Sequence, residues 1–164
     1  MDNNIYNSTL KKQSQALALI KAGLRTPLVH SLTGIPLRAL RNQWKEIHGN
    51  EVLPGRLPMT VLSNLEKGQS PITLATAVAA FFALEKRNKD IPAAFLECWD
   101  IAKTFSIDTD INAVWYAIRD VKAGIVLWVE CEECSAHYIK GDHKTTCACP
   151  FCGGVGHKYI KAAA

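Results

Sequence analysis

Apolar residues in the stretch "PLRALRNQWKEIHG" recur every three or four positions, which places them on one face of a helix. They are Leu37, Leu40, Trp44 and Ile47. A shorter apolar segment, "PLVHSL", precedes them, and Gly34 between the two segments can adopt the left-handed conformation of a tight turn at little cost. The pattern predicts a first helix over 27–32 and a second helix that opens at Pro36, continues to His48 and stops at Gly49.

The opposite face of the second predicted helix is polar and cationic. It carries Arg38, Arg41, Asn42 and Lys45, and Arg25 just before the first helix is a further candidate contact. Arginine can pair with guanine through two hydrogen bonds, asparagine can pair with adenine, and lysine can neutralise a phosphate. Two helices joined by a glycine turn, with such a face on the second, are typical of a helix-turn-helix that binds DNA. An amphipathic helix whose polar face meets only water is the alternative.

Three further helical stretches follow a Pro- and Gly-rich connection at 50–58. They are "SPITLATAVAAFFALEKRN", "IPAAFLECWDIAKTF" and "DINAVWYAIRDVKAG", and their aromatic residues could build one helical core: Phe81, Phe82, Phe95, Trp99, Trp115 and Tyr116. Asp108 and Asp110 are interpreted as cap and loop carboxylates. Since no catalytic constellation and no phosphate-binding glycine loop is found, we expect a protein that is not an enzyme.

Composition and charge narrow the class of protein. The chain of 164 residues is 48% apolar and 21% charged, which is ordinary for a globular protein. No uncharged stretch reaches the roughly 20 apolar residues that a membrane span needs, and the polar N-terminus lacks the apolar core of a signal peptide, so we expect a cytoplasmic protein without a membrane partner. Residues 1–50 carry a net charge of +5, and the other residues together carry −1. A basic N-terminal third favours a polyanionic partner.

Five of the six cysteines lie near the C-terminus, and four of them form two C-x2-C pairs. Cys131 and Cys134 make the first pair, and Cys149 and Cys152 make the second. Two such pairs supply the tetrahedral sulfur shell that structural zinc prefers, and the β-prone stretches "IVLWVE" and "AHYIK" flank the first. Strand, knuckle, strand, knuckle is the layout of a zinc ribbon that holds one structural Zn²⁺.

Other roles for these cysteines fit less well. Disulfides are rare in a cytoplasmic protein, and a dithiol redox site would need only one pair in a thioredoxin-like context. A catalytic zinc with an open position stays possible, because His137, His143 or His157 could replace a cysteine. Cys147 is a spare thiol of unassigned role, and Cys98 is expected to be a buried core thiol.

The predicted fold is therefore mainly α with a small C-terminal zinc ribbon, and it combines an N-terminal helix-turn-helix with a helical middle. The predicted divisions are 1–55 for the N-terminal helical region, 56–124 for the helical core and partner-binding region, and 125–164 for the ribbon. In the ribbon, Lys140, Lys144 and Lys158 could contact phosphates or could be solvated surface charges.

Most of the chain resembles the FlhC family, the C subunit of the flagellar master transcriptional activator. The resemblance rests on "SQALALIKAGLRTPLVHSLTGIPLRALRNQWKEIHG", then "GRLP", "VWYAIRDVKAGIVLW" and the double C-x2-C, in the family's order. It implies a transcriptional activator subunit that assembles with a small helical FlhD-like subunit into a hetero-oligomer, binds double-stranded promoter DNA and recruits RNA polymerase. It also implies zinc ligation by Cys131, Cys134, Cys149 and Cys152.

The chain departs from flagellar members in having a slightly shorter gap between the cysteine pairs and no long basic C-terminal tail. In this it is similar to the short FlhC-like activators of the AcaC and SetC type, which conjugative plasmids and integrative elements carry. We therefore favour conjugative transfer genes over a flagellar operon as targets. Two alternatives from other classes stay open, namely a protein-binding adaptor whose helix-turn-helix is only structural and a metal-dependent hydrolase of nucleic acid.

Overall fold

The computed structural model describes residues 2–49, 60–87, 90–140 and 148–160. These ranges contain the helices α1 (Asp2–Lys21), α2 (Thr26–Thr33), α3 (Leu37–His48), α4 (Leu62–Glu66), α5 (Pro71–Arg87), α6 (Ile91–Phe105) and α7 (Ile111–Lys122). They also contain the strands β1 (Leu127–Cys131), β2 (His137–Lys140) and β3 (His157–Tyr159). The expected mainly helical chain with a small C-terminal sheet is confirmed. The predicted connection at 50–58 lies outside the described residues.

Helices α2 and α3 begin and end within one residue of the predicted bounds. Gly34 ends α2 with φ of 73°, and its N–H donates to the carbonyl oxygen of His30 at 2.8 Å. The ring nitrogen Nδ1 of His30 lies 2.7 Å from the carbonyl oxygen of Ile35 and ties both sides of the turn together. The side chain of Thr33 donates to the Val29 carbonyl at 2.8 Å. These local bonds fix how α3 leaves α2.

The apolar face of α3 packs inward as its spacing predicts. Leu40 is fully buried, and Trp44 and Ile47 are partly buried against the same core. At the far end of α3, His48 Nε2 lies 2.8 Å from the carbonyl oxygen of Ile20 in the last turn of α1. Helix α3 is therefore held at both ends, and only its polar face is left to solvent.

The helical middle is built on α5, α6 and α7, whose bounds agree with the predicted stretches. Asp110 accepts from the Asn112 amide at the start of α7, which confirms its predicted role as a cap. All six aromatic residues named above belong to the core: Phe81, Phe95, Trp99 and Tyr116 are buried, and Phe82 and Trp115 pack partly buried against them. The packing of these rings joins the three helices.

Two carboxylates connect helices that are distant in sequence. Asp90 caps α6 and also takes hydrogen bonds from Gln15 at 2.9 Å and an ion pair from Lys11, both on α1. Burial raises the pKa of Asp90, but the bonds from Lys11 and Gln15 outweigh this and hold the pKa below its usual range. Asp120 on α7 is fully buried and accepts from the backbone amide of Val61 at 2.6 Å.

The C-terminal sheet has the order β2-β1-β3, and both pairings are antiparallel. Strand β2 packs against α5, and the Trp128 ring on β1 meets Phe82 of α5 edge-on with 6.4 Å between ring centroids. The two expected β-prone stretches are strands β1 and β2, whereas β3 was not predicted. Among the described residues no helix combines the length and the apolar composition that crossing a bilayer requires.

Candidate metal centre and basic helix face

The four cysteines of the two C-x2-C pairs converge on one point. All four Sγ atoms lie within 4.8 Å of one another, with 3.6 Å between Cys131 and Cys152 and 3.7 Å between Cys134 and Cys149. A tetrahedron of sulfurs around zinc, with bonds of about 2.3 Å, has edges of about 3.8 Å. The cluster therefore has the dimensions of a four-sulfur zinc site, and in the described part of the chain it is the one such group of potential ligands.

The first knuckle begins where β1 ends. The Cys131 N–H donates to the carbonyl oxygen of Ala136 at 2.9 Å, and the Cys131 carbonyl accepts from the Ser135 N–H at 2.9 Å. Ser135 closes this loop with φ of 57°, a left-handed conformation that non-glycine residues rarely adopt. The loop turns Cys134 back so that its sulfur faces the sulfur of the second knuckle.

The second knuckle repeats this pattern of bonds. The Cys149 N–H donates to the carbonyl oxygen of Gly154 at 2.7 Å, and the Cys149 carbonyl accepts from the Gly153 N–H at 2.8 Å. Gly153 has φ of 80° and stands four residues after the first cysteine, as Ser135 does in the first knuckle. The two loops are thus equivalent, with glycine at the left-handed position of one and serine at that of the other.

This equivalence predicts opposite effects of substitutions at the two positions. Ser135→Gly should raise the free energy of unfolding by up to about 1 kcal/mol because glycine relieves the left-handed strain. Gly153→Ala should lower it by about 1 kcal/mol through strain alone, since no atom lies within 4 Å of the added Cβ. Denaturant unfolding of the metal-loaded chain measures both. The control Ser135→Ala keeps a Cβ and should change little; equal stabilisation by alanine and glycine would contradict the strain argument.

Backbone amides donate to sulfurs of this cluster. The amide of Cys134, together with that of Glu133, lowers the pKa of Cys131 to about 7. The Gly154 N–H donates to Cys152 Sγ at 3.4 Å. Because metals bind the thiolate and not the thiol, the lowered pKa of Cys131 favours its metal-binding form near neutral pH. At Cys152 the Gly154 amide acts in the same direction, but the neighbouring cysteine sulfurs outweigh it and raise the pKa to about 12.

Cys98 illustrates the opposite environment. It is fully buried on α6, its Sγ donates to the carbonyl oxygen of Ala77 at 3.2 Å, and burial raises its pKa to about 12. It is a core thiol, as expected from the sequence.

Two glutamates of the first knuckle lie against the glycines of the second. A Cβ on Gly154 would stand 2.5 Å from the Glu133 carboxyl carbon, and one on Gly156 would stand 2.7 Å from a Glu132 carboxylate oxygen. Both glutamates are exposed. Sequence reasoning missed this contact, although the "CEEC" and "CGGVG" stretches carry both halves of it. The surface beside the cluster is therefore acidic.

The described histidines near the cluster are engaged elsewhere. His137 stacks on Trp128 with 5.9 Å between ring centroids. His157 has Nε2 at 2.6 Å from Lys140 Nζ and Nδ1 at 3.2 Å from the carbonyl oxygen of Val155. Neither belongs to the sulfur cluster. His143, Lys144 and Cys147 lie outside the described residues.

The candidate DNA contacts of α3 share one surface. Arg38, Arg41, Asn42 and Lys45 are all exposed on the face opposite Leu40, and we call these four residues the basic face. Arg25 is half-buried just before α2, where its backbone N–H donates to the Asn112 side chain at 3.1 Å. Lys158 is exposed on β3, whereas Lys140 is half-buried beside His157. The four α3 residues therefore form one surface, whereas Lys140 and Lys158 belong to strands β2 and β3 of the C-terminal sheet.

The sequence matches no protein-family model, and no curated protein matches it.

Proposed function

We propose that the protein is a DNA-binding subunit of a transcriptional activator and that one structural zinc ion closes its C-terminal lobe. The proposed DNA binding rests on one observation. The basic face presents two guanidinium groups, an amide and an ammonium side by side in solvent, while Leu40 behind them is fully buried. A groove-reading helix needs an anchored apolar back and an exposed front of hydrogen-bond donors.

The elements around α3 support its use as the second helix of a helix-turn-helix. The bond from His30 to Ile35 fixes the turn, and the bond from His48 to Ile20 fixes the far end of α3. A helix anchored at both ends presents its polar side chains with little loss of backbone freedom on binding, which favours affinity.

Charge distribution favours the N-terminal third over the ribbon as the main DNA surface. Residues 1–50 carry a net charge of +5. Near the cysteine cluster, Glu132 and Glu133 are exposed, and four thiolates around one divalent ion would add a double negative charge. Since phosphate contacts dominate DNA affinity, Lys140, Lys144 and Lys158 are proposed only as secondary contacts.

Zinc is the ion that suits the cysteine cluster best. Four thiolates in a tetrahedron are its preferred structural ligands, and a closed set of four leaves no open position for catalysis. Bound zinc supplies a cross-link between the two knuckles. Each of the four cysteines would contribute one sulfur: the buried Cys131 and Cys149 and the exposed Cys134 and Cys152.

The proposed partners follow the resemblance to FlhC-type activators. We propose assembly with a small helical FlhD-like subunit, recruitment of RNA polymerase in the cytoplasm, and conjugative transfer genes as targets, with a flagellar operon as the alternative. Exposed apolar residues at the adjoining ends of α5 and α6 favour a protein partner: Ile72, Ile101 and Phe105, followed by Ile107, which is 94% exposed. The same surface would serve the adaptor alternative.

A pair of double variants tests DNA binding by the basic face. Arg38→Ala with Arg41→Ala should weaken retention of a promoter duplex by at least about 30-fold, because each lost arginine contact costs about 1–3 kcal/mol. The control is Lys86→Ala with Arg87→Ala, which removes the same charge from the exposed last turn of α5. Fluorescence anisotropy with the co-expressed partner present, over a range of salt concentrations, measures the affinity.

The wild-type affinity should also fall steeply with salt, and the α3 variant should show a shallower slope. If both double variants retain the duplex equally well, the basic face does not contact DNA, and the adaptor function becomes the better explanation.

A further inference from the structure

The four cysteine residues of the cluster differ in their exposure to solvent. Cys131 and Cys149, the first cysteine of each knuckle, are buried. Cys134 and Cys152, the second cysteine of each knuckle, are exposed. A dissolved oxidant therefore meets one residue of each knuckle first.

Two close approaches between sulfurs each pair one exposed cysteine with one buried cysteine. Cys152 lies 3.6 Å from Cys131, and Cys134 lies 3.7 Å from Cys149. Each pair joins the two knuckles. Because a disulfide bond is about 2.05 Å long, either pair could close by a relative movement of less than about 2 Å.

We propose that the cysteine cluster is a site of reversible oxidation by hydrogen peroxide, in which the thiolate of an exposed cysteine is oxidised and zinc is released. The proposal rests on the proposed zinc site. The exposed thiolate attacks one peroxide oxygen, the O–O bond breaks to give a sulfenic acid, and the other oxygen leaves as hydroxide, which a proton converts to water. The buried thiolate of the other knuckle then attacks the sulfenic sulfur, and its oxygen leaves as a second water after protonation.

The reaction transfers two electrons from the cysteines to peroxide. Two thiolates are oxidised to one disulfide, one peroxide is reduced to two waters, and two protons are consumed. The two cysteines that stay reduced would be too few to hold a zinc ion, because its tetrahedral site needs four ligands. The new disulfide keeps the two knuckles linked, so a dithiol reductant and added zinc restore the original site.

Cys98 provides an internal reference within the same chain. It is fully buried, and its sulfur donates a hydrogen bond to a backbone carbonyl. It should stay reduced while the cluster reacts, since peroxide reacts with accessible thiolates.

The test is a peroxide titration of the zinc-loaded full chain with a colorimetric chelator present. We expect two thiols to be lost for each zinc released, and peptide mapping to find Cys131–Cys152 or Cys134–Cys149 disulfides. Cys152→His keeps a fourth ligand but removes one exposed thiolate, so it should release zinc at about half the rate and form only the Cys134–Cys149 disulfide. Cys98→Ser should behave as wild type.

Several results would overturn the proposal. They are zinc retained by the oxidised protein, disulfides within one knuckle, and disulfides that include Cys98 or Cys147. A chain that holds no zinc before peroxide is added contradicts the zinc assignment itself, whereas bound zinc that peroxide fails to release contradicts the oxidation site alone.

Discussion

The Cys149→Ser variant should lose the zinc ion proposed for the cysteine cluster, and with it the ordered structure of residues 148–160. Cys149 is buried, and a serine hydroxyl does not ionise near neutral pH to replace the thiolate. Structural zinc contributes roughly 10–16 kcal/mol to the folding of small zinc domains, far more than this short second knuckle can supply from its own packing. Strand β3 has only three residues, and within the described ranges it pairs only with β1.

Metal analysis and hydrogen exchange measure this effect in two ways. We expect less than stoichiometric zinc in Cys149→Ser and fast exchange of the amides of 148–160, while helices α5 to α7 stay protected. The matched control is Cys98→Ser, which removes a buried thiol outside the cluster and should keep one zinc per chain. Full zinc and unchanged protection in Cys149→Ser would show that Cys149 is not a ligand.

Asp120→Ala should lower the free energy of unfolding by about 3 kcal/mol. The fully buried carboxylate accepts from Val61 N–H at 2.6 Å and from Arg119 Nε at 2.7 Å. Removing it leaves the Val61 amide and the Arg119 guanidinium without this acceptor, and breaking a buried ion pair from one side costs about 3–5 kcal/mol. The lower end applies because the Arg119 side chain is 32% exposed and can be partly rehydrated.

The free energies of unfolding of Asp120→Ala and Asp100→Ala, measured with denaturant, compare the loss of this buried ion pair with the loss of an exposed one. Asp100 pairs with Lys103 on α6, but its side chain is 71% exposed, so its loss should cost less than about 1 kcal/mol. If the two variants lose equal stability, the bond between Asp120 and Val61 does not hold α4 to α7.

Local signals in the sequence were sufficient for α2, α3, α5, α6 and α7. Each combines apolar spacing with a start or stop residue, as Pro71 does for α5 and Gly34 does for the turn. The region 1–55 was expected to be helical, but the bounds of helix α1 were not predicted, because its first half is polar. Among its described side chains, the buried ones lie in the last turns: Ala16, Leu19 and Ile20. Its position depends on packing against α2 and α3, which sequence periodicity does not report.

The cysteine cluster was predictable because each C-x2-C pair is local and only two pairs had to meet. Other parts of the fold could not be predicted, since they depend on contacts between residues that are distant in sequence. Strand β3 has no alternating pattern over its three residues and exists through pairing with β1. The bond from Val61 to Asp120 spans 59 positions. Ser135 could have been found by aligning the two knuckles, because Gly153 occupies the equivalent position.

The most direct test of the metal centre is X-ray absorption at the zinc edge, combined with metal content, on the purified, reduced protein. The structure leads us to expect one zinc per chain with four sulfur neighbours at about 2.3 Å, because the four Sγ atoms already lie within 4.8 Å of one another. A folded protein without metal, or a zinc ion with nitrogen or oxygen neighbours in place of sulfur, would contradict the four-cysteine zinc site.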